Sequence, residues 1–136
     1  MIRYPIQIYP TQKTGNLLWV KASIGGQNSR TSVLRLLIDT GASYTILPLN
    51  PLATIGYNLN QSTHNRKIVT ASGTVDVPFI KVDWLNCLGI KMDDFSVALY
   101  DLPVSSRIDG ILGMDFLIPN RAIVATHEAE IYMPIQ

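Results

Sequence analysis

Three consecutive residues, Asp39-Thr40-Gly41, carry the clearest chemical suggestion in this chain. They follow an aliphatic run, Leu36-Leu37-Ile38, and precede Ala42-Ser43 and a second apolar stretch, Tyr44-Thr45-Ile46-Leu47. A carboxylate at the exit of a buried strand is costly unless it is paired or hydrogen-bonded. Two carboxylates held a few ångströms apart are chemically useful, because both cannot ionise. They share a proton and split their apparent pKa values, so one activates a water while the other protonates a carbonyl oxygen. Asp-Thr-Gly alone recurs by accident, and Asp39 with Thr40 also suits an ordinary Asx-type turn. The aliphatic run before it and the apolar strand after it favour the chemical reading.

The remaining polar candidates are weaker. Ile108-Asp109-Gly110-Ile111-Leu112-Gly113 faintly echoes Leu37-Ile38-Asp39-Thr40-Gly41, through two similar halves or by chance. Asp109 is the internal rival for a second carboxylate, but no Thr-Gly or Ser-Gly follows it, and it reads as structural. Asp115, just after Gly113, suits the start of a short helix through the helix dipole, or a nearby Arg. His64, His127 and Cys87 lack metal-ligand spacing. Cys87, close to Leu85 and Leu88, reads as a buried apolar thiol. No Ser-His-Asp set stands out, and Gly25-Gly26 lacks a phosphate-loop pattern. The sequon Asn60-Gln61-Ser62 is short enough to be chance.

The elements that must position Asp39 are short and mostly extended. Alternation predicts strands over 2–9 and 17–24, the latter with Leu18, Val20, Ala22 and Ile24 on one face. Gly25-Gly26-Gln27-Asn28 is a hairpin turn, and 32–38 returns as the strand that ends at Asp39. A strand over 44–47 stops at Pro48. Residues 49–56 hold one short helix, with Asn50 as N-cap, Pro51 at the first helical position and Gly56 as its stop. Residues 11–15 read as turn, and 58–65 as polar loop. Strands 67–70 and 75–82 flank Ala71-Ser72-Gly73-Thr74, a second hairpin signal. Phe95, Val97 and Leu99 alternate within a strand over 91–100, and a loop over 101–109 follows. Residues 114–118 have room for about one helical turn. Residues 121–125 and 130–135 form a closing hairpin around Thr126-His127-Glu128. Turn signals this frequent, with no amphipathic pattern of three helical turns, predict a partly closed all-β domain with one or two short helices.

Composition fits one such domain. The 136 residues suffice for one modest core and are too few for two ordinary domains. Hydrophobic residues at 47% against charged residues at 15% argue against disorder. A net charge of +1 without a Lys/Arg block gives no sign of nucleic-acid binding. No apolar run approaches the roughly 20 residues of a spanning helix. The N-terminus lacks a signal-peptide core, and one cysteine excludes an internal disulfide, so a reducing cytoplasm is expected.

Three segments, in order, resemble the retropepsin-like aspartic proteases, the family of retroviral proteases and their single-domain relatives. Leu37-Ile38-Asp39-Thr40-Gly41-Ala42-Ser43 is similar to the family's catalytic loop. Val69-Thr70-Ala71-Ser72-Gly73-Thr74-Val75 is similar to its flap hairpin. Ile108 to Leu117 resembles the apolar-apolar-Gly segment leading into its C-terminal helix. The resemblance spans residues 17–136. It implies one half-barrel domain over 1–136 with a flap, acting as an aspartic endopeptidase on peptide or protein substrates, without a cofactor.

With one convincing Asp-Thr-Gly per chain, the resemblance implies a homodimer in which each chain contributes Asp39. Thr40 would lock the two loops together, and Gly41 would let substrate backbone approach. Ala42, Ser43, Ala71, Ser72 and Gly73 would border the substrate. Some relatives carry an acidic residue where Ser43 stands, so cleft electrostatics differ here. The chain is also longer than the minimal viral form around 49–65 and 84–94. The competing expectation is a non-catalytic peptide-binding or assembly module on the same fold.

Overall fold

The computed structural model describes residues 2–60, 63–70, 72–103 and 107–136. Among the described residues, eleven strands and two short α-helices lie in the order β1 (Ile6–Pro10), β2 (Gln12–Thr14), β3 (Leu17–Gly25), β4 (Thr31–Ile38), β5 (Ile46–Leu47), α1 (Leu49–Thr54), β6 (His64–Thr70), β7 (Gly73–Cys87), β8 (Ile90–Leu99), β9 (Gly110–Leu112), α2 (Met114–Leu117), β10 (Ile123–Ala125) and β11 (Glu130–Pro134). This is the all-β architecture with two short helices that the residue pattern predicts.

Eight strands form one sheet in the order β2-β3-β4-β9-β5-β8-β7-β6. A further pairing, Ser23 with Asn86, Ile24 with Leu85 and Gly25 with Trp84, joins β3 to β7 and closes six of them into a ring. Closure removes exposed strand edges. The Tyr57 hydroxyl ties this seam to the end of α1, donating to the Gly25 carbonyl and accepting from the Asp83 N–H.

Alternation decides which side chains enter the barrel. Val20, Ala22 and Ile24 of β3 are buried, and Leu34 and Leu36 of β4 lie across from Ala22 and Val20. Phe95, Val97 and Leu99 of β8 are buried as their spacing predicts. Leu47, Leu52, Leu112 and Phe116 complete the interior around the site-bearing elements. Fully burying an aliphatic side chain of this size contributes about 1.5–3 kcal/mol. A second, three-stranded sheet, β1-β11-β10, lays Ile131 and Met133 into the same core.

Several local expectations change. Residues 12–14 form a strand against β3 instead of a turn. Only Ile46 and Leu47 of the 44–47 stretch pair as strand, because Tyr44 and Thr45 belong to the turn after Asp39. Helix α1 starts at Leu49, so Pro48 holds the N-cap position and Asn50 lies inside the first turn. The exposed Leu49 N–H donates to the Asp101 carboxylate (3.0 Å), a capping contact from a distant loop. Strand β6 already begins at His64, and the region around 84–94 is a tight β7–β8 hairpin. Its turn residues Leu88 and Gly89 both have positive φ, 52° and 73°, the geometry whose twist matches paired strands.

Candidate active site

Asp39 stands immediately beyond β4, where the parallel β4–β9 ladder ends at the Ile38–Leu112 pair. Its N–H donates to the Leu112 carbonyl (3.1 Å), and its own carbonyl accepts from the Ala42 N–H (3.2 Å). The Gly41 N–H donates to Asp39 Oδ1 (2.9 Å). That contact is the Asx-type turn expected as the plain alternative. It occupies Oδ1 alone among the described residues, and the side chain remains partly exposed. Asp39 borders a cavity of about 280 Å³ lined also by Leu17, Leu18, Ile38 and Val124. Thr40 lies between it and a second depression of about 470 Å³ formed by Met114, Leu117, Ile118 and Arg121.

The loop is braced by the third segment of the sequence pattern. The Met114 N–H donates to the Ala42 carbonyl (2.8 Å), and the Asp115 N–H to the Ser43 carbonyl (3.2 Å). Ala42 and Ser43 therefore keep their carbonyls turned to the protein, and the Ser43 side chain remains exposed. Thr45, fully buried, donates through its N–H to Asp115 Oδ2 (2.9 Å) and through Oγ1 to Asp115 Oδ1 (2.8 Å). The Gly113 N–H donates to the same Thr45 hydroxyl (3.1 Å). Close packing requires Gly113, since a Cβ there would meet backbone atoms of Tyr44 at 2.6 and 2.7 Å.

Asp115 thus has Thr45 as its partner, not an arginine, although it does sit in the first turn of α2. Burial raises its carboxyl above the usual range, and the Thr45 donors oppose that shift. The pair is absent from the sequence expectations. A threonine inside an apolar run and an acid two positions after a glycine are its only local signals.

Asp109 lies at the other end of the β4–β9 ladder from Asp39. Its carboxylate accepts from the Arg35 N–H (2.7 Å) and stands 3.7 Å from the Arg35 guanidinium. This is a strand-end contact, and Asp109 is not brought to Asp39. Cys87 is buried, with its thiol pushed up to about 12 by desolvation. His127 lies in the β10–β11 turn, far from His64 in sequence and on a different sheet.

The second hairpin is present. Strands β6 and β7 pair antiparallel from His64–Phe79 to Thr70–Gly73. Beyond the Thr70–Gly73 pair, Ser72 and Gly73 are exposed, and Ala71, expected at the tip, lies outside the described residues. Inside the hairpin, Ile68, Val75 and Val77 border an apolar cavity of about 380 Å³ with Ile46 and Leu99. Tyr44 packs edge-on against the buried Phe79 ring at 5.1 Å, which couples the Asp39 loop to β7. Tyr44, Phe79 and Arg66, whose guanidinium lies 4.6 Å over the same ring, had no distinguishing sequence signal.

Among the described residues no helix is long and apolar enough to cross a membrane. No curated protein matches the sequence. Among solved structures, the fold is similar to that of a retropepsin-like aspartic protease from Rickettsia conorii. That match has 15% identity and a TM-score of 0.66, over 98% of this chain and 96% of the other. It is also similar to EIAV protease complexed with the inhibitor HBY-793, at 21% identity and TM-score 0.57, over 80% of this chain and 92% of that one. A family model described as aspartyl protease matches residues 20–116, most of the chain and both the Asp39 loop and its brace. The chain therefore belongs to the aspartyl protease family, in its retropepsin-like form.

Proposed function

We propose that the chain is an aspartic endopeptidase that works as a homodimer, with Asp39 from each protomer forming the catalytic dyad. The observation that carries this reading is the placement of Asp39. It stands in a rigidly braced turn with one carboxylate oxygen held by the Gly41 N–H, and Asp109 occupies the far end of the ladder. One chain therefore supplies one suitable acid, and a second copy supplies the other.

The two carboxylates would share one proton and hold a water between them. The ionised one takes a proton from the water as its oxygen attacks the scissile carbonyl carbon, and the protonated one delivers its proton to the carbonyl oxygen. Collapse of the tetrahedral intermediate breaks the C–N bond. The amine leaves with a proton from the dyad and the new carboxyl end departs. Thr40 would join the two loops beneath the dyad. Gly41 gives the substrate backbone room, and Ala42 and Ser43 border it. The β6–β7 hairpin, with Ala71, Ser72 and Gly73 at its tip, would fold over an extended peptide as a flap and exclude water. A chain with a single, buried cysteine suits a reducing cytoplasm.

Asp39→Asn should abolish cleavage of a peptide library while leaving the folded state intact. Retained cleavage overturns the assignment. Active protein that sediments as a monomer overturns the two-chain dyad. A second reading, a peptide-binding module without cleavage, is favoured by the single acid per chain. Peptide binding without cleavage across acidic to neutral pH would support it.

A further inference from the structure

The face of the β6–β7 hairpin that borders the apolar cavity carries one arginine that the proposed reaction does not use. Successive residues of a strand point to opposite faces, so residues two apart share a face. The register pairs Ile68 with Val75, Arg66 with Val77 and His64 with Phe79. Ile68, Val75 and Val77 border the apolar cavity shared with Ile46 and Leu99, so Arg66 stands on that same face, one step beyond the cavity. Asp76 also borders the cavity, but it lies opposite Lys67 on the other face of β7.

Arg66 is held in place without being neutralised. Its guanidinium lies 4.6 Å over the Phe79 ring, and its Nε donates to His64 Nε2 (3.2 Å). Tyr44, from the Asp39 loop, packs against the same ring. Phe79 is fully buried and Arg66 is exposed, so the ring is a fixed platform beneath a solvent-facing cation. No carboxylate lies within ion-pair distance of Arg66 among the described residues. A guanidinium has five N–H donors, and with Nε given to His64 the four terminal ones remain to receive a carboxylate.

We propose that Arg66 determines specificity, by pairing with an acidic side chain of the substrate. This rests on the reading of the cleft as a peptide-binding site. A peptide lying extended against the hairpin presents every second side chain to one face. One apolar side chain enters the Ile46–Ile68–Leu99 cavity, and an Asp or Glu two residues away meets Arg66. The substrate class is then a peptide with an apolar residue and an acidic residue separated by one position.

The test uses peptide pairs that differ only by Glu or Gln two positions from an apolar residue. Each pair is assayed for kcat/KM with the wild-type protein, Arg66→Gln and Arg66→Glu. The same pairs are measured for binding to Asp39→Asn by fluorescence anisotropy, with and without Arg66→Gln. A partly exposed charge pair supports a roughly three- to tenfold preference for Glu. Arg66→Gln should bring that ratio to about one, and Arg66→Glu should reverse it in favour of the Gln peptide. A Glu preference in binding that Arg66→Gln removes, with no cleavage by the wild type, keeps the inference and fails the endopeptidase reading. A ratio of about one in the wild type, or a preference that survives Arg66→Glu, overturns the inference even if cleavage is efficient. If none of the peptides is bound or cleaved, both readings fall.

Discussion

Thr45 and Asp115, 70 positions apart, are joined by two hydrogen bonds, from the Thr45 N–H at 2.9 Å and its hydroxyl at 2.8 Å. The fully buried Thr45 has no other acceptor for those donors among the described residues, and the pair fixes the Asp39 loop to α2. Asp115→Ala should therefore cost about 2–4 kcal/mol, since two buried donors lose their acceptor. Asp115→Asn keeps one acceptor and should cost about 1 kcal/mol. Urea denaturation of the three proteins measures both values, and equal losses would contradict the hydrogen-bond account.

The same carboxyl gives a pH signature. Burial is the largest influence on Asp115 and raises it above its ordinary value of 3.8, with the Thr45 donors acting in the opposite sense. Between the unfolded and the raised folded value, the native state binds more protons than the unfolded state. The Asp115 contribution is therefore fully present below the unfolded value, and it declines as pH rises through the folded one. The stability of wild type relative to Asp115→Asn should fall with rising pH in that window and then level off. Denaturation midpoints of both proteins from about pH 3 to pH 7 give the difference curve. A difference that grows with pH would reverse the sign of the shift.

Gly113→Ala should be far more damaging than Gly15→Ala. At Gly113 the new Cβ meets Tyr44 backbone at 2.6 Å, and backbone cannot move aside cheaply. At Gly15 there is open space, and only the φ of +59° opposes a side chain. Overpacking against the site loop should cost about 3 kcal/mol or more, against about 1 kcal/mol at the turn. Thermal denaturation of the two variants separates these outcomes.

Cys87 should resist alkylation. Its thiol is buried and pushed up to about 12, and the thiolate is the reactive form. Iodoacetamide at mildly alkaline pH should label it only after denaturant is added, as read by intact mass. Rapid labelling of the native protein would show that the β7–β8 hairpin opens easily.

Mixing wild type with Asp39→Asn distinguishes a shared dyad from independent chains. Random reassociation of equal amounts leaves about one quarter of dimers with two Asp39 residues, whereas independent chains retain about one half of the activity. Cleavage rate after subunit exchange is the measurement.

The parts of this molecule legible in the sequence are those with local causes. Alternation located Val20, Ala22 and Ile24 on one face, and Phe95, Val97 and Leu99 on another, because burial of one face leaves a period of two. The Asp39 turn was marked by its small residues and its aliphatic run. The illegible parts depend on distant partners. Asp101 caps α1 from a loop 52 positions away, a contact that no residue near Asn50 signals. The Leu88-Gly89 turn carries no clear local signal, because Leu rarely adopts positive φ and the paired strands impose it. The Tyr44–Phe79–Arg66 cluster joins three elements, each unremarkable alone. The closure of β3 on β7 has no local signature at all.

The parallel ladder between β4 and β9 has a consequence for the order of folding. Arg35 and Asp109 are 74 positions apart, and every contact that shapes the Asp39 turn from β9 spans a comparable stretch of chain. The β3–β4 hairpin closes a short loop and forms early, whereas closing the long one costs more entropy and comes late. During synthesis, a chain that has emerged only as far as the β6–β7 hairpin already contains Asp39. It lacks Leu112, Gly113 and Asp115, which hold the turn in shape. The acid is thus made long before its setting, and the turn is completed only when α2 has been released.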